Sequence, residues 1–96
     1  MPATRKAWKV DVLVTLKPSV LDPQGATVQR ALESMGYADL TAARLGKYLQ
    51  LTFRGRLSRK AVEQQARRMC DKLLVNPVIE QYRLTVAEDR GREAKP

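Results

Sequence analysis

The 96-residue sequence contains no histidine and a single cysteine, Cys70. Without imidazole and with one thiol, the usual zinc and redox-metal ligand sets cannot be assembled, and histidine-dependent nucleophilic triads are excluded. One cysteine forms no internal disulfide, which fits a cytosolic chain. With one Trp, three Tyr and one Phe, aromatics are too scarce for a base-stacking platform. Charges interrupt every hydrophobic run well short of the roughly 20 apolar residues of a membrane span. Met1 to Ala7 carries Arg5 and Lys6 with no apolar stretch behind them, so no signal peptide is expected. Most of the ten acids lie beside Lys or Arg, as Glu63 does near Arg67 and Asp71 near Lys72. An autonomous enzyme is therefore not expected.

What is abundant is positive charge: the net charge is +8 and the isoelectric point about 10.2. Seven bases (Arg54, Arg56, Arg59, Lys60, Arg67, Arg68, Lys72) against Glu63 and Asp71 place more than half of that excess in one stretch. Such a patch suits nucleic acid or another polyanion. A solvated helix face accounts for the same residues more simply.

Hydrophobic periodicity supplies the elements. Trp8, Val10, Val12, Val14 and Leu16 alternate as on one side of a strand, which ends at Lys17-Pro18. Val28, Ala31, Leu32 and Met35 follow with helical spacing over about Pro23 to Met35. Asp22 serves as N-cap, Pro23 as the first helical residue and Gly36 as the terminator. Gly25 in the first turn costs the helix about 1 kcal/mol relative to Ala, so local stability does not explain it. Close approach by another chain is the expectation, with Gly25→Ala sparing the fold and weakening assembly.

Two extended runs, Leu40 to Leu45 and Tyr48 to Arg54, flank Gly46-Lys47, which suits a type II′ hairpin turn. A second helix begins at its cap Ser58, with Leu57 stapled to Val62, and carries the stripe Val62, Ala66, Met69 and Leu73. Asn76-Pro77 ends it, and Val78 to Val86 is the last strand. The order βαββαβ predicts an α+β, ferredoxin-like fold: a four-stranded antiparallel sheet with both helices on one face. The domain is expected over residues 8–87, between mobile tails at 1–7 and 88–96. The helix-free face, with Leu13, Tyr48 and Ile79, is expected to pair with a second copy or another protein.

No residue shows a catalytic pattern. Gly46-Lys47 follows no glycine-rich loop and opens no helix, so it is not a P-loop. Cys70 reads as a buried structural thiol, Trp8 as packing at the edge of the core, and Tyr82 as core or interface packing. Arg44-Leu45-Gly46-Lys47-Tyr48 reads either as a hairpin tip offering two cations and an aromatic to a partner or phosphate, or as ordinary solvated charge.

Three segments in order resemble one family: Val20 to Val28 (VLDPQGATV), Ala43 to Leu49 (ARLGKYL) and Leu74 to Tyr82 (LVNPVIEQY). Together they are similar to PurS, the small subunit of multi-chain phosphoribosylformylglycinamidine (FGAM) synthase. The resemblance spans Lys9 to Val86. It implies a dimeric, non-catalytic adaptor that joins a glutaminase (PurQ type) to a large synthetase (PurL type) and helps shield ammonia between them. The complex uses ATP, magnesium and glutamine, none of them bound by this chain. The residues it carries over as fold-setting or subunit-contact positions are Asp22, Pro23, Gln24 and Gly25; Arg44, Gly46, Lys47 and Tyr48; and Asn76, Val78, Ile79, Glu80 and Tyr82. Gln50 departs from the glutamate common after the hairpin tyrosine. The basic charge is also unusual for the family and implies an acidic partner surface. Two other classes share these features, a small basic RNA-binding module and an amino-acid-sensing regulatory domain.

Overall fold

A computed structural model describes residues 6–89; the expectations for residues 1–5 and 90–96 lie outside the described residues. The alternating valines make β1 (Lys6–Leu16) the central strand, because a strand flanked on both sides can bury one whole face. It pairs antiparallel with β2 (Gly46–Gly55) on one side and β3 (Glu80–Asp89) on the other. The registers Val10↔Leu51, Val12↔Leu49, Val12↔Leu84 and Val10↔Val86 put the apolar residues of all three strands on the same face. Helix α2 (Arg59–Met69) and a wide π turn (Cys70–Leu74) cover that face. Val10, Val12, Val14, Val62, Ala66 and Cys70 are buried to 1% exposure or less. Each valine so buried contributes about 1.5–3 kcal/mol. Trp8 closes the far end, donating its indole N–H to the Leu57 carbonyl at 3.0 Å.

The fold is thus α+β, with a three-stranded sheet in the order β2-β1-β3. The expected fourth strand at 40–45 does not form. Alanine-rich Thr41-Ala42-Ala43 has weak strand propensity, and the Leu45 N–H, which a ladder would use, donates instead to the Asp22 carboxylate. Nor is there a hairpin at Gly46-Lys47. Among the described residues, positive φ occurs only at Gly36 (105°) and Gly55 (140°). Gly46 opens β2 opposite Thr15, where a Cβ would strike the Val14 carbonyl oxygen and lie 2.9 Å from Thr15 Cγ2. Close strand approach, not turn geometry, requires that glycine.

Helix α1 (Pro23–Ser34) begins as expected, with Asp22 as cap, Pro23 at its first position and Gly36 in the left-handed region beyond its end. It does not join α2 on the sheet, however. Only Gly25 within it is buried, and no strand packs extensively against it. Its Gly25 and Gln29 meet Ala43 and Thr41 of the returning segment instead. Helix and return segment form an arm beside the sheet rather than a second layer on it. The apolar positions Val28 and Met35, 40% and 69% exposed, have no cover.

The α2 stripe also departs from expectation. Val62 and Ala66 are buried, but Cys70 replaces Met69 as the next core residue, while Met69 and Leu73 face outward at 40% and 82% exposure. The helix-free face is largely polar. Leu13 and Tyr48 are exposed on it beside Asp11, Gln50, Arg83 and Thr85, whereas Ile79 precedes β3.

Candidate subunit-contact site

Three chain segments distant in sequence meet where β1 ends and β2 and β3 begin. Asp22, 6% exposed, is the pivot. One carboxylate oxygen accepts the Gly25 N–H at 2.9 Å and the other the Leu45 N–H at 2.8 Å, so one side chain caps α1 and ties the returning segment to it. Gly25 fits here because it has no side chain. A Cβ would meet the Asp22 carboxylate and come to 2.5 Å from the Ala43 carbonyl oxygen. The glycine does answer to a close backbone approach, as expected, but the backbone is the chain's own.

Arg44 faces inward along the chain. Its guanidinium donates to the carbonyls of Lys17 at 3.0 Å, Leu16 at 3.2 Å and Val20 at 3.5 Å, where β1 turns toward α1. The Lys17 carbonyl also accepts the Val20 N–H at 2.9 Å, so the guanidinium adds to the turn that follows Pro18. A planar fork of donors serves several carbonyls in a way an ammonium cannot. Arg44→Lys is therefore expected to loosen the arm. Hydrogen exchange at α1 amides should rise about tenfold, the equilibrium equivalent of one charge-assisted hydrogen bond, while the sheet amides stay protected.

Lys47 and Glu80 pair across the end of β1 at 3.5 Å. Glu80 also accepts the Asn76 N–H at 2.7 Å, and Asn76 accepts the Val78 N–H at 3.1 Å, which fixes the turn into β3. Between these groups lies an open cleft of about 340 Å3, bordered by Thr15, Asp22, Gln24, Gly46, Lys47 and Glu80. Gln24 is exposed at its mouth.

Six of the thirteen positions carried over from the resemblance form a latch at this junction or its rim: Asp22, Gly25, Arg44, Lys47, Asn76 and Glu80; Pro23 opens α1, and Val78 and Ile79 lie in the turn before β3. Gln24 and Gly46 border the cleft. Tyr48 and Tyr82 do not join them. Tyr48 lies on the helix-free face, where its hydroxyl bonds Asp11 at 2.9 Å and Gln50 at 2.9 Å. The hydrogen bond to the Asp11 carboxylate pushes the phenol pKa up. Gln50 suits this network because its amide donates to Asp11 at 3.3 Å, where a glutamate would set two carboxylates together. Tyr82 is half-buried against the core. Asp11 was missed by periodicity because it reads only as the polar half of an alternating strand.

Electrostatically the junction is quiet. The Leu45 and Gly25 N–H groups hold the Asp22 carboxyl below its ordinary range, against the opposing effect of burial. The Asn76 N–H does the same for Glu80, with Lys47 assisting. Both folded values are depressed, so the unfolded chain binds more protons in acid. This stabilisation is complete above the ordinary carboxylate pKa near about 4 and is lost as pH falls through the folded values. Stability followed by the fluorescence of Trp8, the sole tryptophan, should show a shallower acid limb in Asp22→Asn/Glu80→Gln than in the natural chain. Among the described residues, no group of three or more His, Cys, Asp or Glu could hold a metal ion. Cys70 is fully buried, which pushes its thiol pKa up and keeps it a thiol.

Residues 9–88 match the family described as PurS: Phosphoribosylformylglycinamidine (FGAM) synthase. The chain belongs to the PurS family. It is 49% identical over 81 residues to the Bacillus subtilis (strain 168) phosphoribosylformylglycinamidine synthase subunit PurS, covering 84% of this chain and 94% of that one. Methanocaldococcus jannaschii PurS superposes with a TM-score of 0.75 at 34% identity, over 83% of this chain and 95% of that one. A chain of PurLQS from Thermotoga maritima gives a TM-score of 0.74 at 32% identity, over 84% and 98%. The segments that carried the resemblance to PurS are the ones the latch brings together.

Proposed function

We infer that the chain acts as the non-catalytic small subunit of phosphoribosylformylglycinamidine synthase in purine biosynthesis. It joins a PurL-type synthetase to a PurQ-type glutaminase. The observation that carries this reading is the family match over residues 9–88. The junction of its three motifs, where backbone donors and an ion pair engage the charged groups, agrees with a role in assembly rather than bond making. The comparisons lend no support to an RNA-binding module.

The whole complex converts formylglycinamide ribonucleotide to the amidine with ATP, magnesium and glutamine, all handled by its larger subunits. Ammonia released into water near neutral pH is mostly protonated and loses its nucleophilicity. An adaptor that closes the gap between the two sites keeps the free base and excludes water. Docking that favours the active states of both neighbours also couples glutamine hydrolysis to substrate occupancy.

Self-association belongs to this reading. The outer stripe of α1, Val28, Ala31 and Met35, lies on one face at i, i+3 and i+7 and lacks cover, and a second copy supplies it. On the same reading Gln24, Lys47 and Glu80, around the open cleft, meet a partner. No described helix is long and apolar enough to cross a membrane; on this reading the chain works in the cytoplasm. Mixing the purified chain with PurL- and PurQ-type subunits, substrate and nucleotide should yield one species containing all three by sedimentation. Two larger subunits that associate equally well without the chain would contradict the role.

A further inference from the structure

The end of α2 carries a surface that the latch does not use. Eleven residues at about 100° each would return Leu73 to within about 20° of Val62 on a regular helix, and Val62 is fully buried. Instead, the Val75 N–H bonds the Cys70 carbonyl at 3.0 Å, five residues back. This π turn adds one residue to the turn. Leu74 then packs against the core, and Leu73 swings out to 82% exposure beside Met69. The pair floors a shallow groove of about 390 Å3 whose other walls are Gln65, Arg68 and Lys72. Neither Arg68 nor Lys72 has an ion-pair partner among the described residues. Wide turns inserted in α-helices recur at functional positions.

We propose that this groove docks a partner subunit through a segment bearing an apolar side chain flanked by carboxylates. The inference rests on the subunit reading above and adds a contact surface to it. The apolar floor seats the side chain, and the two uncompensated cations set the sign of the rim. An acidic rim on the partner gains both steering and register from Arg68 and Lys72. A phosphate backbone would use the cations but leave Leu73 and Met69 in water, and no aromatic lines the groove to stack a base. A second copy is disfavoured because the same basic rim would face itself across a two-fold axis.

The test uses the assembled complex. The natural chain must first bind the PurL- and PurQ-type subunits and support glutamine-dependent turnover; if it does not, the subunit reading itself fails. Given that, Leu73→Ser should weaken assembly about tenfold or more while circular dichroism, melting temperature and self-association stay unchanged. Arg68→Glu/Lys72→Glu should weaken it similarly and flatten its dependence on salt. Partner affinity and salt dependence unchanged in both variants would overturn the groove while leaving the subunit reading intact. Altered self-association in Leu73→Ser would overturn it too. So would tight binding of a single-stranded oligonucleotide that is lost on charge reversal while partner affinity holds.

Discussion

Gly25→Ala is expected to destabilise the isolated chain, although alanine is the better helix former. The propensity gain is about 1 kcal/mol. Against it stands a Cβ placed 2.5 Å from the Ala43 carbonyl oxygen and in collision with the Asp22 carboxylate. The carbonyl belongs to the backbone two residues before Leu45, whose N–H the same carboxylate holds at 2.8 Å. Neither neighbour can withdraw without breaking the other's hydrogen bond. Overpacking of this kind costs about 1–3 kcal/mol, and the lost hydrogen bonds add about 1 kcal/mol each. The net is a loss of about 2–4 kcal/mol, or roughly 10–30 °C in melting temperature for a domain this small. Exchange of α1 amides should rise more than that of β1. A variant that melts at or above the natural temperature would show that the latch does not constrain this position.

The second large effect concerns association. Val28→Asp/Met35→Asp alters two side chains that are 40% and 69% exposed on the outer face of α1. The fold should tolerate both, with a melting temperature within a few degrees of the natural chain. An interface that covers them would lose about 1.5–3 kcal/mol of burial for each and would have to desolvate two carboxylates. The self-association constant should therefore fall by about 100-fold or more, read by sedimentation across a concentration series. Unchanged association would assign the contact to another surface, such as the helix-free face with Leu13 and Tyr48.

The contrast between these variants reflects what residue pattern carries. Strand β1 was legible because central burial demands strict alternation, and Trp8, Val10, Val12 and Val14 supply it. Both helix starts were legible because capping is local chemistry: Asp22 and Ser58 each bond an N–H three residues on. The fourth strand failed for a non-local reason. Asp22 reaches 23 residues along the chain to take the Leu45 N–H, and no periodicity encodes that. Leu73 left the stripe because the π-type bond from the Val75 N–H to the Cys70 carbonyl shifts helical phase by a residue; Met69, before that turn, lies at the edge of the face buried through Val62, Ala66 and Cys70. Arg44 and Lys47 look like solvated charge until the chain folds and supplies three carbonyls to one and Glu80 to the other.

The family motifs illustrate the same division. They were recognisable as strings, and part of their chemistry turns inward. Asp22, Gly25 and Arg44 tie α1 to the segments at the end of β1 and the start of β2, which leaves its Val28 and Met35 exposed.

The most direct measurement is synthesis by the reconstituted subunits with and without this chain, using glutamine or ammonium salt as nitrogen source. Omission should abolish glutamine-dependent formation of the amidine and leave turnover with high ammonium largely intact. Full glutamine-dependent turnover without the chain would contradict the subunit role.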